Sequence, residues 1–107
     1  MYKLSFYVPA SHLELVKNAL FDQGAGRFNN YDRCCWQVLG EGQFRPMAGS
    51  SPFLGETDKL ESVAEYKVEM ICAKDRIKPV LQTFIKTHPY QEPAYEIYSI
   101  LTAEEFL

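Results

Sequence analysis

The sequence is 107 residues long, with 47% hydrophobic and 23% charged residues, the balance of one globular domain rather than of a disordered or membrane-embedded chain. Its formal net charge is −3 and its eleven Lys and Arg are scattered, so the basic stripe of a nucleic-acid binder is missing and nucleic acid is not an expected partner. No apolar run approaches the roughly 20 residues that span a bilayer. "MYKLSFYVPASH" is too short and strand-like for a signal peptide, so the expectations are no membrane partner and a cytoplasmic location.

The chain opens on a strand pattern. In "YKLSFYV" (2–8) aromatic and aliphatic residues alternate with small and polar ones, the period of a half-buried strand, and Pro9 ends it. Ser11 then reads as a helix N-cap with Glu14 as its capping-box partner. Leu13, Val16, Ala19 and Leu20 recur at helical spacing until Gly24 supplies the stop, so a helix is predicted over about 12–23. The turn-rich "GAGRFNNYDR" leads into "CCWQVLG", a second strand. From 41 to 61 the sequence is heavy in Gly, Pro and Ser and is predicted as a long connector holding at most a short strand around 43–45; such connectors are often functional.

"VAEYKVEMICA" (63–73) alternates again as a third strand. A second helix opens at Asp75, with Ile77, Val80, Leu81, Phe84 and Ile85 forming its apolar stripe and Pro79 tolerated near the first turn. "AYEIYSIL" gives a fourth strand, and "TAEEFL" remains as a tail. The order strand, helix, strand, strand, helix, strand predicts an α+β, ferredoxin-like βαββαβ domain, with both helices on one face of a four-stranded antiparallel sheet. The strands carry apolar or aromatic residues on both faces, Tyr98 and Ile100 among them, so the helix-free face is expected to meet a partner sheet in a homo-oligomer.

Two stretches carry a resemblance. "HPYQEPAYEIY" resembles the H-P-Y-x-x-P-x-x-x-x-Y signature of the YqfO-type domain and is similar to the H-P-Y-x-x-P segment of CutA proteins. "GAGRFNNYDRCCWQVLGEGQFRPMAGSSPFLGETDKLE" resembles the same domain's succession of G-A-G, N-Y, C, G-x-G-x-F-x-P, G-x-x-P and L-G-E. The resemblance implies a single PII/CutA-like domain and, by analogy, a trimer. It also implies kinship with hydrolase-like proteins that hold a dinuclear metal centre, which makes such a protein a candidate partner. It does not carry over hydrolysis, because the metal ligands of those proteins belong to the flanking domain and this chain has only His12 and His88. Where many relatives carry a third glycine this chain has Asn29, a residue that tolerates left-handed backbone.

The candidate sites follow. His88, next to Tyr90 and Glu92, is suited to a divalent metal such as copper if Cys34 or Cys35 supplies thiolate; the alternative is a rigid turn set by Pro89 and Pro93, with His88 and Tyr90 bonded to backbone and Glu92 paired with an arginine at a subunit boundary. Cys34 and Cys35, placed in the second strand, should point to opposite faces; with Cys72 they form an odd set expected to stay reduced. "GAGRF" follows a helix rather than a strand, which favours a C-cap and turn over a phosphate loop. The connector occupies the place where PII proteins carry a ligand-responsive loop. It offers Arg45, Ser50, Ser51 and Glu56 as polar candidates, or an assembly arm through Phe44, Met47, Phe53 and Leu54. No residue set shows a catalytic arrangement. The expectation is a non-catalytic trimeric binding or regulatory domain with no identified cofactor, the alternatives being CutA-type metal binding and an accessory subunit of a dinuclear-metal hydrolase-like protein.

Overall fold

The structure, a computed structural model, describes residues 1–107. Strand β1 (Tyr2–Pro9) passes through a 3-10 turn (Ala10–His12) into helix α1 (Leu13–Asp22). Strands β2 (Trp36–Phe44) and β3 (Glu61–Cys72) form a long hairpin, helix α2 (Ile77–Thr87) follows, and β4 (Tyr95–Ser99) closes the sheet before a 3-10 turn at Ala103–Glu105. The sheet order is β2-β3-β1-β4 with every neighbouring pair antiparallel. Each strand-helix-strand unit therefore skips over one strand, which is the predicted ferredoxin-like arrangement. No helix is long and apolar enough to cross a membrane.

The period-2 pattern of β1 decides where the core lies. Leu4, Phe6 and Val8 are fully buried and stand opposite Met70, Val68 and Tyr66 of β3. Val16 and Leu20 of α1 and Val80 and Phe84 of α2 close over them as one cluster. Phe84 is its hub, with ring centroids 5.1 Å from Phe6 and 5.0 Å from Tyr95. Lys3, Ser5 and Tyr7 alternate to the other face, which no helix covers. On α2 the stripe is narrower than its spacing suggests: Ile77 and Leu81 are partly buried, but Ile85 is 60% exposed.

Helix α1 ends as its glycine predicts. The Gly24 N–H donates to the Phe21 carbonyl and the Ala25 N–H to the Leu20 carbonyl. Gly24 has φ +102° and Ala25 is buried. That pair of bonds is a Schellman closure, so "GAG" is a helix stop. Asn29 is left-handed at φ 52° and opens a two-residue turn in which Phe28 and Tyr31 exchange backbone hydrogen bonds, the conformation asparagine accepts most readily after glycine. At the N-terminus the expected cap is replaced. Ser11 spends its hydroxyl on His12 Nδ1, 2.8 Å away, and the 3-10 turn makes His12 the N-cap without a side-chain bond. Helix α2 begins at Ile77 rather than Asp75, which puts Pro79 in the first turn, where a missing N–H costs little.

The second strand is longer and later than its sequence suggests. Residues 41–44 continue the ladder, with Glu41, Gly42, Gln43 and Phe44 opposite Ala64, Val63, Ser62 and Glu61. Strand β1 reaches only from Cys72 to Glu65, so the outer hairpin is a two-stranded ribbon and the molecule extends to 52 × 22 × 21 Å. Cys34 and Cys35 precede β2 and are not the alternating strand pair that was expected. The tail closes into a turn as the Thr102 hydroxyl donates to Glu105 Oε2 at 2.7 Å. Truncation of the hub, Phe84→Ala, should cost about 3–5 kcal/mol in urea unfolding; a loss below about 1 kcal/mol would place Phe84 outside the working core.

Candidate functional site

Strand β4 begins opposite Phe6, so the Tyr7 carbonyl beyond it lacks a strand neighbour on that edge. His88, the residue that ends α2, fills the gap. Its Nε2–H donates to the Tyr7 carbonyl at 2.6 Å, and its Nδ1 accepts the Tyr90 N–H at 3.1 Å. This fixes the tautomer, with both ring nitrogens used. His88 is 6% exposed, and its ring meets Phe84 and Tyr90 edge-on at 5.2 and 4.9 Å. Burial holds its pKa below the ordinary histidine value despite the favourable Tyr7 carbonyl, and the nearby His12 pushes the same way.

The turn so anchored projects Tyr90 across the end of the sheet. Its hydroxyl donates to Glu65 Oε2 at 3.3 Å. Glu65 lies on the helix-free face of β3, directly opposite Gly40 and diagonal to Gly42. A methyl group at Gly42 would fall on the Glu65 carboxylate, so that glycine leaves the space in which the carboxylate lies. Burial raises the Glu65 pKa, with the Tyr90 hydrogen bond acting in the opposite sense. Tyr90 is pushed up to about 12 by burial and by the adjacent carboxylate.

The connector closes this end of the face into a cleft of about 610 Å³, walled by 43–50 and 52–54, the turn after His88, Tyr7 and Glu65. That volume is in the range of small-molecule sites. Phe44 and Phe53 stand 6.4 and 6.2 Å from the Tyr90 ring, and Phe53 also meets His12 at 5.5 Å. The Ser51 N–H donates to Gln91 Oε1 at 2.9 Å, tying connector to turn. Arg45, Ser50 and Glu92 line the same cleft, with Ser50 bonded to the Met47 carbonyl at 2.7 Å. Glu56 is instead held by Lys59 at 3.2 Å and does not line the cleft.

The proposed metal set is not gathered within the chain. Cys34 is tied through its N–H to Gly26, and Gly26 to Ile71, by bonds of 2.8 Å each. Ile71 stands opposite Lys3, whereas Lys67 stands opposite Tyr7, beside His88. Four strand residues, roughly 13 Å at ~3.3 Å each, separate those two levels. Nowhere do three His, Cys, Asp or Glu side chains converge as a metal-binding group. Phe44 and Phe53, expected as an assembly arm, pack on Tyr90 of their own chain. Tyr98, opposite Lys3, is half-exposed on the helix-free face, and the Ile100 N–H donates to the Met1 carbonyl at 3.1 Å. Sequence reasoning missed Tyr7, Gly42, Glu65 and Gln91. Only the strand register, which brings Glu65 opposite the G-x-G of β2, could have pointed to Glu65.

No family model matches the sequence. The chain is 40% identical over 107 residues to the GTP cyclohydrolase 1 type 2 homolog of Halalkalibacterium halodurans, and 42% identical over 98 residues to that of Bacillus subtilis. The matches cover 100% and 92% of this chain but only 29% and 26% of those relatives. Among solved structures, a Bacillus cereus protein related to NIF3 superposes with TM-score 0.78 at 35% identity, covering 91% of this chain and 24% of that one. The PII-like protein CutA from Nostoc gives TM-score 0.68 at 14% identity, covering 100% of this chain and 86% of that one, which shows a shared fold.

The buried imidazole predicts a pH dependence. Unfolded His88 takes up a proton near 6.5 while the folded ring resists it, so the unfolded state binds more protons and stability falls as pH drops below about 6.5. Glu65 acts in the opposite sense: its contribution is present below 4.5 and is lost as pH rises through its raised folded value. Thermal unfolding from pH 7 to 5 should therefore show a loss that is smaller in His88→Gln, which keeps Glu65. Parallel curves for the two proteins would mean that His88 titrates as freely folded as unfolded.

Proposed function

We propose that this PII/CutA-like domain, related over its whole length to one segment of the GTP cyclohydrolase 1 type 2 homologs, is a non-catalytic binding or regulatory module that works as a homotrimer. The observation that carries the binding role is the cleft. A PII-like connector is folded back onto the sheet end, tied to the turn by Ser51 and Gln91, and encloses aromatic rings together with two carboxylates and a guanidinium. Such a mixture of apolar wall and few polar groups is the ordinary make-up of a small-ligand site.

Assembly is supported by what the monomer leaves open. Trp36 and Val38 of β2 and Tyr98 of β4 are 61%, 42% and 51% exposed on the helix-free face. The outer ribbon of β2 and β3 has no third strand, and isolated two-stranded ribbons are marginal in water. Strands β2 and β4 are both free edges, which proteins cover or pair. Sheet packing of three copies by the PII/CutA plan covers this face.

A second reading is favoured by relative length. Because the matching proteins are more than three times as long, the domain acts beside, or as part of, a larger protein of that kind. Affinity purification of the tagged domain from its native cells, with quantitative identification of what it retains, tests this: specific retention of a GTP cyclohydrolase 1 type 2 homolog supports it, and equal recovery on an untagged control counts against it. For the trimer, native mass spectrometry should give three times the 12.3 kDa chain mass. Tyr98→Asp or Ile100→Asp should shift that mass toward the monomer, since an unpaired charge in an apolar interface costs several kcal/mol. A trimer unchanged by both substitutions would overturn sheet-face assembly.

A further inference from the structure

Glu65 is a carboxylate without a cation. It takes no part in any of the chain's ion pairs, and its one protein donor is the Tyr90 hydroxyl on Oε2. Oε1 lies over Gly42 with no hydrogen bond from the chain. Burial already disfavours its ionised form, so an occupant that displaced the remaining water without supplying charge would raise that cost further.

The surroundings are suited to a positive group. Three rings, Phe44, Phe53 and Tyr90, line the same cleft, with both phenylalanines inclined 44° to the tyrosine, so they do not close up as a parallel stack. Ring faces attract cations, more strongly when water is excluded. Among the ionised side chains lining the cleft, Arg45 stands against Glu65 and Glu92 and forms an ion pair with neither, leaving a net charge of −1 (one positive, two negative). An anion would have Arg45 to meet but two carboxylates to oppose it.

We propose that the cleft binds a small organic cation, an ammonium or amidinium group carried on an apolar body, with the charge against Glu65 Oε1 and the body against Phe44, Phe53 and Tyr90. This rests on the reading of the chain as a ligand-binding module and names the ligand class. Volume sets the scale: about 610 Å³ accommodates a molecule of one or two rings. Glu65 and Tyr90 recognise the donor, and the phenylalanines supply area and ring faces.

Three isosteric probes test it on the full chain: benzamidine (cation), benzamide (neutral) and benzoate (anion), titrated by calorimetry and followed at the aromatic resonances of Phe44, Phe53 and Tyr90. Benzamidine should bind saturably and at least about tenfold more tightly than benzamide, as a charge-assisted bond in a partly desolvated site requires. Glu65→Gln should bring benzamidine down to the benzamide level. Phe53→Leu, in the exposed connector, should weaken benzamidine severalfold while leaving the fold intact. Equal binding of benzamidine and benzamide, or benzamidine binding unchanged in Glu65→Gln, overturns the proposal. Preference for benzoate overturns the cation class while leaving the cleft a ligand site. No saturation by benzamidine up to about 10 mM also overturns it, independently of the trimer mass.

Discussion

Everything at the candidate site hangs from one imidazole. Strand β4 stops short of Tyr7, and a carbonyl on an uncovered sheet edge must find a donor or stay with water. His88 supplies the donor with one nitrogen and takes the Tyr90 N–H with the other. A single ring thus continues the β1 edge and sets the first bend of the turn after α2. The sequence between His88 and β4 needs no regular structure, since its entry is fixed by two hydrogen bonds and its path by Pro89 and Pro93.

The same residue joins core to cleft. Phe6, Phe84, His88, Tyr90 and Phe53 form a continuous series of ring contacts, each pair of centroids within 4.9 to 6.2 Å. Side chains packed edge to face in a dense interior cannot shift singly, because each fills its neighbour's hollow. The cleft wall is therefore an outgrowth of the core. Its connector half is held more lightly, by Phe53 against His12 and Tyr90 and by the bond between Ser51 and Gln91.

Most of the fold was legible because it rests on local periodicity. The alternation in "YKLSFYV" and the stripe from Ile77 to Phe84 translate directly into buried faces, and Gly24 and Asn29 mark turns whose backbone angles they alone accept readily. The failures have a common cause. Glu41 to Phe44 contain two glycines and read as turn, yet pairing with Glu61 to Ala64 makes them strand; tertiary context overrode propensity. Cys34 and Cys35 fall outside the strand for the same reason at its other end, and nothing in the sequence announces that His12 takes the Ser11 hydroxyl a cap would need. The site was half legible. His88 and Tyr90 stand in a conspicuous motif, whereas Glu65 looks like any outward polar residue of an alternating strand until Tyr90, 25 positions away, is folded onto it.

The seat of Glu65 is made by something missing. A glycine inside a strand weakens it by roughly 0.5–1 kcal/mol relative to alanine, so a stabilisation campaign guided by strand propensity would choose position 42 early and fill it with valine or threonine. The ribbon would gain, and the carboxylate, with a new side chain in its place, would be driven off Tyr90. Thermal robustness and an ordered acid group thus compete for one hydrogen atom on β2, and the chain as it stands has the hydrogen.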